Sequence, residues 1–234
     1  MVSKEDDDEL QEFIDFVRGG VCDEVKLQLE DKGLEILNTT FFHDLELDSI
    51  VELEEADESE NDVEIPMIAL SPLQVAIVSR QAEIIKVLLG FVTKIEEAEE
   101  CIQALEQLLG RKVTIIFTAE SSTYDKDDRS LDGMNAFHLA AKYYPDALEI
   151  IFDILRQDNA TYTKILDLLQ ATDNHLQQTP LHVALRNSSH EAARYTINTE
   201  FKGPIIKVCL QIRNDIHYVN VKTLPIFQIY VLDY

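Results

Sequence analysis

At 234 residues the chain suits one compact domain or one array of repeats, and 46% apolar residues supply a sizeable core, which excludes disorder throughout. The formal net charge of −24 is uneven: residues 1–66 hold 23 acids and 4 bases, whereas residues 67–234 hold 21 acids and 16 bases. Nothing resembles the basic face that phosphate neutralisation requires, so direct binding to nucleic acid or to an anionic membrane is not expected, and the natural counterpart of the acidic front is a protein with a basic segment.

In chain order, the first residues read MVSKEDDDELQEF, with acids where a secretory signal carries a basic region and an apolar core. No run of eighteen apolar residues follows. The expected compartment is the cytoplasm, with the nucleus as an additional one. Phe13 to Asn38 then reads as the end of a first helix, a break at Gly19-Gly20, a second helix and the entry to a hairpin, which makes 1–42 a diverged N-terminal unit.

From His43 to Pro66 there are eleven acids and no lysine or arginine, so this stretch is expected to be a mobile, solvated loop. Its functional reading is an electrostatic patch, Glu52, Glu54, Glu55, Asp57, Glu58 and Glu60, for a basic partner segment. Ser49 and Ser59 are each followed at the third place by an acid, as acid-directed kinase sites are.

Residues 67–234 repeat one pattern. Ser71 and Pro72 open SPLQVAIVSRQAEIIKVLLG as an N-cap and first-turn proline, and two short apolar helices follow with Ser79 to Gln81 between them. Asn135 opens a second copy after the Asp132-Gly133 turn, and Thr179-Pro180 opens a third, broken at Asn187 to Ser189. A truncated last unit has a helix-like run at Ile205 to Leu210 and an opening at Leu224-Pro225. Successive openings lie 64, 44 and 45 residues apart, so the first interval nearly equals two repeats of roughly 33 residues. Residues 91–132 therefore hold either a degenerate repeat or an insertion. Within them, IEEAEECIQALEQLLG is strongly helical, with Ile95, Ala98, Ile102, Leu105 and Leu109 on one side, and KVTIIFT reads as a strand.

The openings SPLQVA, NAFHLA and TPLHVA resemble the TPLHxA signature of the ankyrin repeat. Within that family, Val78, Gln81, Glu83 and Ile84 and the stretch DGMNAFHLA resemble the IκB proteins and the ankyrin halves of NF-κB precursors. The resemblance implies an all-α ankyrin-repeat solenoid, stacked helix-turn-helix units with hairpin loops, interrupted by an acidic loop and a helical insertion. It implies a non-enzymatic inhibitor that holds a basic, Rel-type or other transcription-regulating partner. A general scaffold or adaptor is the alternative. Gln74 stands where the family has histidine and Ala136 where it has proline, and no Asp-Ser-Gly-x-x-Ser degradation signal is present.

Catalytic chemistry is not expected. His138 and His182 occupy the fourth place of the repeat opening, where the resemblance implies a histidine that ties one repeat to the next. The other four histidines show no metal-ligand spacing, and no GxGxxG, P-loop or GxSxG occurs. Asp128, Ser130, Asp132 and Gly133 match the start of a calcium loop, yet its twelfth place, which requires glutamate, is Leu139. No cofactor or metal is expected. The three cysteines, Cys22, Cys101 and Cys209, are too far apart and too few for a disulfide framework.

Overall fold

The computed structural model describes residues 4–44, 67–116 and 131–200. Three of its helices begin where side chains take N–H groups that a first turn leaves free. Ahead of α4 (Pro72–Val78), the Gln74 N–H donates to Ser71 Oγ at 3.4 Å, and the Ser71 N–H donates to Gln74 Oε1 at 2.8 Å. Ahead of α7 (Ala136–Tyr143), the His138 N–H donates to Asn135 Oδ1 at 3.1 Å, and Thr179 with His182 makes the same reciprocal cap on α10 (Pro180–Arg186). Proline stands at the first position of α4 and α10, where its missing donor costs nothing.

Three helices also stop in one way. After α1 (Lys4–Gly19), α4 and α10, the residues Gly20, Arg80 and Ser188 take φ values of 75°, 56° and 55°. The next N–H then reaches back five residues, from Val21 to the Phe16 carbonyl at 2.9 Å, Gln81 to Ala76 at 2.8 Å and Ser189 to Ala184 at 2.9 Å. This closure satisfies carbonyls at the helix end and turns the chain into the partner helices α2 (Cys22–Lys32), α5 (Ala82–Val92) and α11 (His190–Glu200). Between α7 and α8 (Asp146–Leu155), Pro145 makes the break instead.

First helices pack on first helices, α1 on α4, α4 on α7 and α7 on α10, and second helices do likewise, α2 on α5, α5 on α8 and α8 on α11. The result is a stack of helix pairs in two rows. One continuous apolar core runs from Phe13 to Ala193 and includes the Phe137 and Phe152 rings, stacked with centroids 5.7 Å apart.

A third set of helices follows the second ones: α3 (Leu34–Leu37), α6 (Ala98–Gly110) and α9 (Asn159–Ile165), the last continued by a 3-10 turn, Leu166–Gln170. Helix α6 packs against α5, α7, α9 and that turn. Helix α4 touches α7 and α5 touches α8, so among the described residues no further helix pair stands between these two units. The α6 stripe is also rotated from the expected one: Cys101, Ile102, Leu105, Leu108 and Leu109 are buried, while Ala98 is exposed.

The fold is mostly helical but departs from all-α. Strands β1 (Phe41–Asp44), β2 (Met67–Leu70) and β3 (Thr114–Ile116) form an antiparallel sheet in that order, with Phe41 opposite Leu70, Asp44 opposite Met67 and Met67 opposite Ile116. One face buries Phe41, Ile68, Leu70 and Ile115, whereas Met67, Thr114 and Ile116 on the other are exposed. The Gly133 N–H donates to the Val113 carbonyl at 2.9 Å, and the Asn174 N–H to the Asp132 carbonyl at 3.0 Å, so hairpin packs on hairpin along the stack. Asp132-Gly133 forms the expected turn ahead of α7, closed by the Met134 N–H donating to the Leu131 carbonyl at 3.1 Å. Its glycine is required, because φ is 77° and a Cβ would sit 2.4 Å from the Asn174 nitrogen. Among the described residues, no helix is long and apolar enough to cross a membrane.

Candidate protein-interaction surface

The side chains singled out at the repeat openings converge on the joints between units. His138 is fully buried, with Nε2 2.8 Å from the Gln178 carbonyl at the foot of the next hairpin and Nδ1 3.3 Å from the Asn135 N–H. We place the ring proton on Nε2, where the Gln178 carbonyl accepts it, so that Nδ1 receives the Asn135 N–H while also lying 2.6 Å from Asn135 Oδ1, whose own donor is the His138 N–H. Burial pushes the His138 pKa down to about 4, against smaller opposing effects from the Gln178 carbonyl and Asp173. The ring is therefore neutral at physiological pH and committed at both nitrogens. That is a joint, with no access for a substrate.

Gln74 makes the same joint with an amide. Its Oε1 receives the Ser71 N–H, and its Nε2 donates to the Arg111 carbonyl at 2.7 Å. The departure from histidine at this place therefore preserves the bridge. His182 repeats the near half of the arrangement, with the Thr179 N–H donating to Nδ1 at 3.2 Å. Ser71, Pro72, Asn135, Thr179 and Pro180 all lie at the helix starts they cap.

Two basic residues that carry no motif in the sequence clamp the hairpins from either side. The Arg111 guanidinium donates to the Asn38 carbonyl at 2.6 Å, to the Thr39 carbonyl at 3.1 Å and to Thr40 Oγ1, and partial burial lowers its pKa. Lys112 Nζ donates to the Thr172 carbonyl at 3.1 Å and to Asn174 Oδ1 at 3.3 Å. A lone Arg-Lys pair before a strand gives no sequence signal of this double reach.

Glu52, Glu54, Glu55, Asp57, Glu58, Glu60, Ser49 and Ser59 lie outside the described residues, as do Asp128 and Ser130 of the calcium-loop match. What the structure does fix is the attachment of the acidic segment: it joins Asp44 to Met67, which face each other across the β1–β2 ladder. Asp132 meets Asn174, whose Nδ2 donates to its carboxylate at 3.3 Å. Among the described residues, no three His, Cys, Asp or Glu side chains are grouped to hold a metal ion.

Among the described residues, two open depressions line the surface. A shallow trough of mixed polarity follows Gln103, Glu106 and Gln107 along α6 between Asn38 and Leu168, and a smaller cleft beside Cys101 is bounded by Ile154 and Asp158. Burial pushes the Cys101 thiol up, which makes it a poor nucleophile. The exposed ion pairs are mostly three residues apart on one helix, Lys86–Glu83 at 2.6 Å and Arg156–Asp153 at 3.1 Å among them. Such pairs contribute about 0 to 1 kcal/mol each.

No family model matches the chain, and neither a curated protein nor a solved structure does.

Proposed function

We propose that the chain is a non-enzymatic protein-binding module of ankyrin type. It acts as an IκB-like cytoplasmic inhibitor and holds a basic segment of a Rel-type or other transcription-regulating partner. Support for the ankyrin reading comes from the two helix rows, the SPLQ, NAFH and TPLH openings, the Gln74 and His138 bridges and the stacked hairpins.

The observation that carries the functional reading is the site of the acidic insertion. Residues 45–66, with ten acids and no lysine or arginine, are spliced into a hairpin between paired Asp44 and Met67. In repeat stacks, insertions collect on the loop face, which is often the binding face. A segment of that charge raises the encounter rate with a basic partner and masks the partner's own basic surface. Ser49 and Ser59, if phosphorylated, add negative charge to the same loop and tighten the same encounter. A neutral adaptor is the second reading, favoured by the third helix row, which adds the polar α6 face to the available surface.

Affinity capture from cells with the full chain as bait separates them. The inhibitor reading expects a Rel-homology protein retained in a salt-sensitive way. Cytoskeletal or ubiquitin-ligase subunits, retained regardless of salt, would replace it with the adaptor.

A further inference from the structure

We infer that the cleft between the α5–α6 and α8–α9 connections takes an arginine side chain of a protein partner. This rests on the reading of the chain as a binder of basic protein segments, and it places one residue of such a segment on the helix stack itself. The two connections, residues 93–97 and 156–158, hold corresponding places in successive units, each leading from a second helix into the third row. Between them Cys101 and Leu105, one turn apart on α6, make a buried floor, and the half-buried Ile95 and Ile154 make the walls. The volume is about 270 Å³, below the roughly 300 to 1,000 Å³ of small-molecule sites, so it suits one side chain rather than a metabolite or cofactor.

Charge and floor together select the side chain. Glu96 and Asp158 stand exposed at the rim, one on each connection, and no lysine or arginine lines the cleft among the described residues. The bases nearby in sequence are placed elsewhere: Arg156 faces Asp153 at 3.1 Å, Lys164 faces Glu99 at 3.9 Å, and Lys94 is exposed outside the lining. Asp158 is fixed by Thr161, whose N–H at 3.1 Å and hydroxyl both donate to its Oδ2. Burial raises the Cys101 thiol pKa and the Asp158 charge adds to it, so the negative field reaches the floor. An anionic side chain is repelled by that field. A wholly apolar one covers Ile95 and Ile154 but strips water from the carboxylates without replacing it. Lysine brings one compact, strongly hydrated charge, whereas a guanidinium is more weakly hydrated and presents five donors in a plane, enough for a carboxylate on either side. Its methylene stem then lies along the two isoleucines.

The test uses the full chain with its isoleucine and leucine methyl groups labelled for NMR, titrated with two serine nonapeptides that carry arginine or norleucine at the centre, and with hexalysine. The arginine peptide is expected to shift the Ile95, Leu105 and Ile154 methyl signals and to bind at least about fivefold more tightly than the norleucine peptide, the effect of two partly exposed charge-assisted pairs. Glu96→Gln with Asp158→Asn should abolish that preference, and because asparagine still caps α9 the far-UV dichroism of this variant should match the wild type. Asp23→Asn with Glu24→Gln, which removes the same charge from α2, should keep the preference. Equal affinity of the two nonapeptides, shifts confined to methyl groups outside the cleft, or a preference that survives the first pair of substitutions overturns the arginine site. Hexalysine separates this from the broader reading: if it binds while the arginine peptide does not, the cleft alone falls, and if neither binds, both fall.

Discussion

Replacing His138 by glutamine should remove a defined share of the protein's acid sensitivity. The imidazole has a pKa of about 4 in the fold against 6.5 in the free side chain, because burial disfavours its charged form. A group whose pKa is depressed by folding contributes its full stability above the unfolded value and loses it as pH falls towards the folded one. The His138 contribution is therefore complete above pH 6.5 and disappears between there and pH 4. At 1.36 kcal/mol per unit the whole effect is about 3 kcal/mol, of which about 2 kcal/mol is already gone at pH 5. The groups that face the ring, Asp173 and Lys112, act in opposite directions and are retained in both proteins. Glutamine is the informative substitute because Gln74 already makes both bonds of this joint with an amide. Urea unfolding of the two proteins at pH 7.5 and pH 5 should show the stability difference, wild type minus His138→Gln, shrinking by about 2 kcal/mol at the lower pH. Whatever the substitution costs at pH 7.5 cancels in that comparison. Parallel stability–pH profiles would refute the account of a neutral imidazole locked into the joint.

Gly133→Ala should destabilise by about 1 to 3 kcal/mol in urea unfolding, since it meets both a left-handed backbone and the Asn174 nitrogen. Arg111→Met should cost about 1 to 3 kcal/mol by stranding the Asn38 and Thr39 carbonyls, with amide exchange accelerating first in β1. Ser71→Ala should cost about 1 kcal/mol through loss of the α4 cap. Glu83→Gln, which removes only an exposed pair with Lys86, should leave the unfolding midpoint within error.

Much of the architecture is legible in the sequence because it rests on local chemistry. Ser71-Pro72, Asn135 and Thr179-Pro180 mark helix starts through caps that need only neighbours three residues away. The breaks at Gly19-Gly20 and Asn187 to Ser189 are legible for the same reason, although the left-handed φ at Arg80 is not, since arginine does not advertise it. Spacing alone leaves the stretch between Ser71 and Asn135 open between a degenerate repeat and an insertion. An amphipathic helix such as α6 has the same periodicity whether it is half of a repeat or an addition beside one, and the direct contacts of α4 with α7 and α5 with α8 are not written in that periodicity. The joints made by Arg111 and Lys112 join residues about 60 to 70 positions apart, beyond any local pattern. Of the proposed site, the acidic run is plain in the sequence, but its splice between facing strand residues depends on strand register, and the cleft above Cys101 depends on two connections far apart in the chain.

The central claim is that the acidic insertion recruits a basic partner. Stopped-flow association with a purified Rel-homology domain that carries its basic localisation segment tests it, comparing the wild type with a variant whose Glu52, Glu54, Glu55, Asp57, Glu58 and Glu60 are all glutamine. Exposed charges act over a Debye length of about 8 Å at physiological salt and add little affinity pair by pair, so their effect falls on encounter. The variant should associate more slowly and with a flatter salt dependence, while its dissociation rate stays nearly that of the wild type. Association that is unchanged at low salt, or wild-type binding as tight at about 0.5 M salt as at low salt, would contradict the claim.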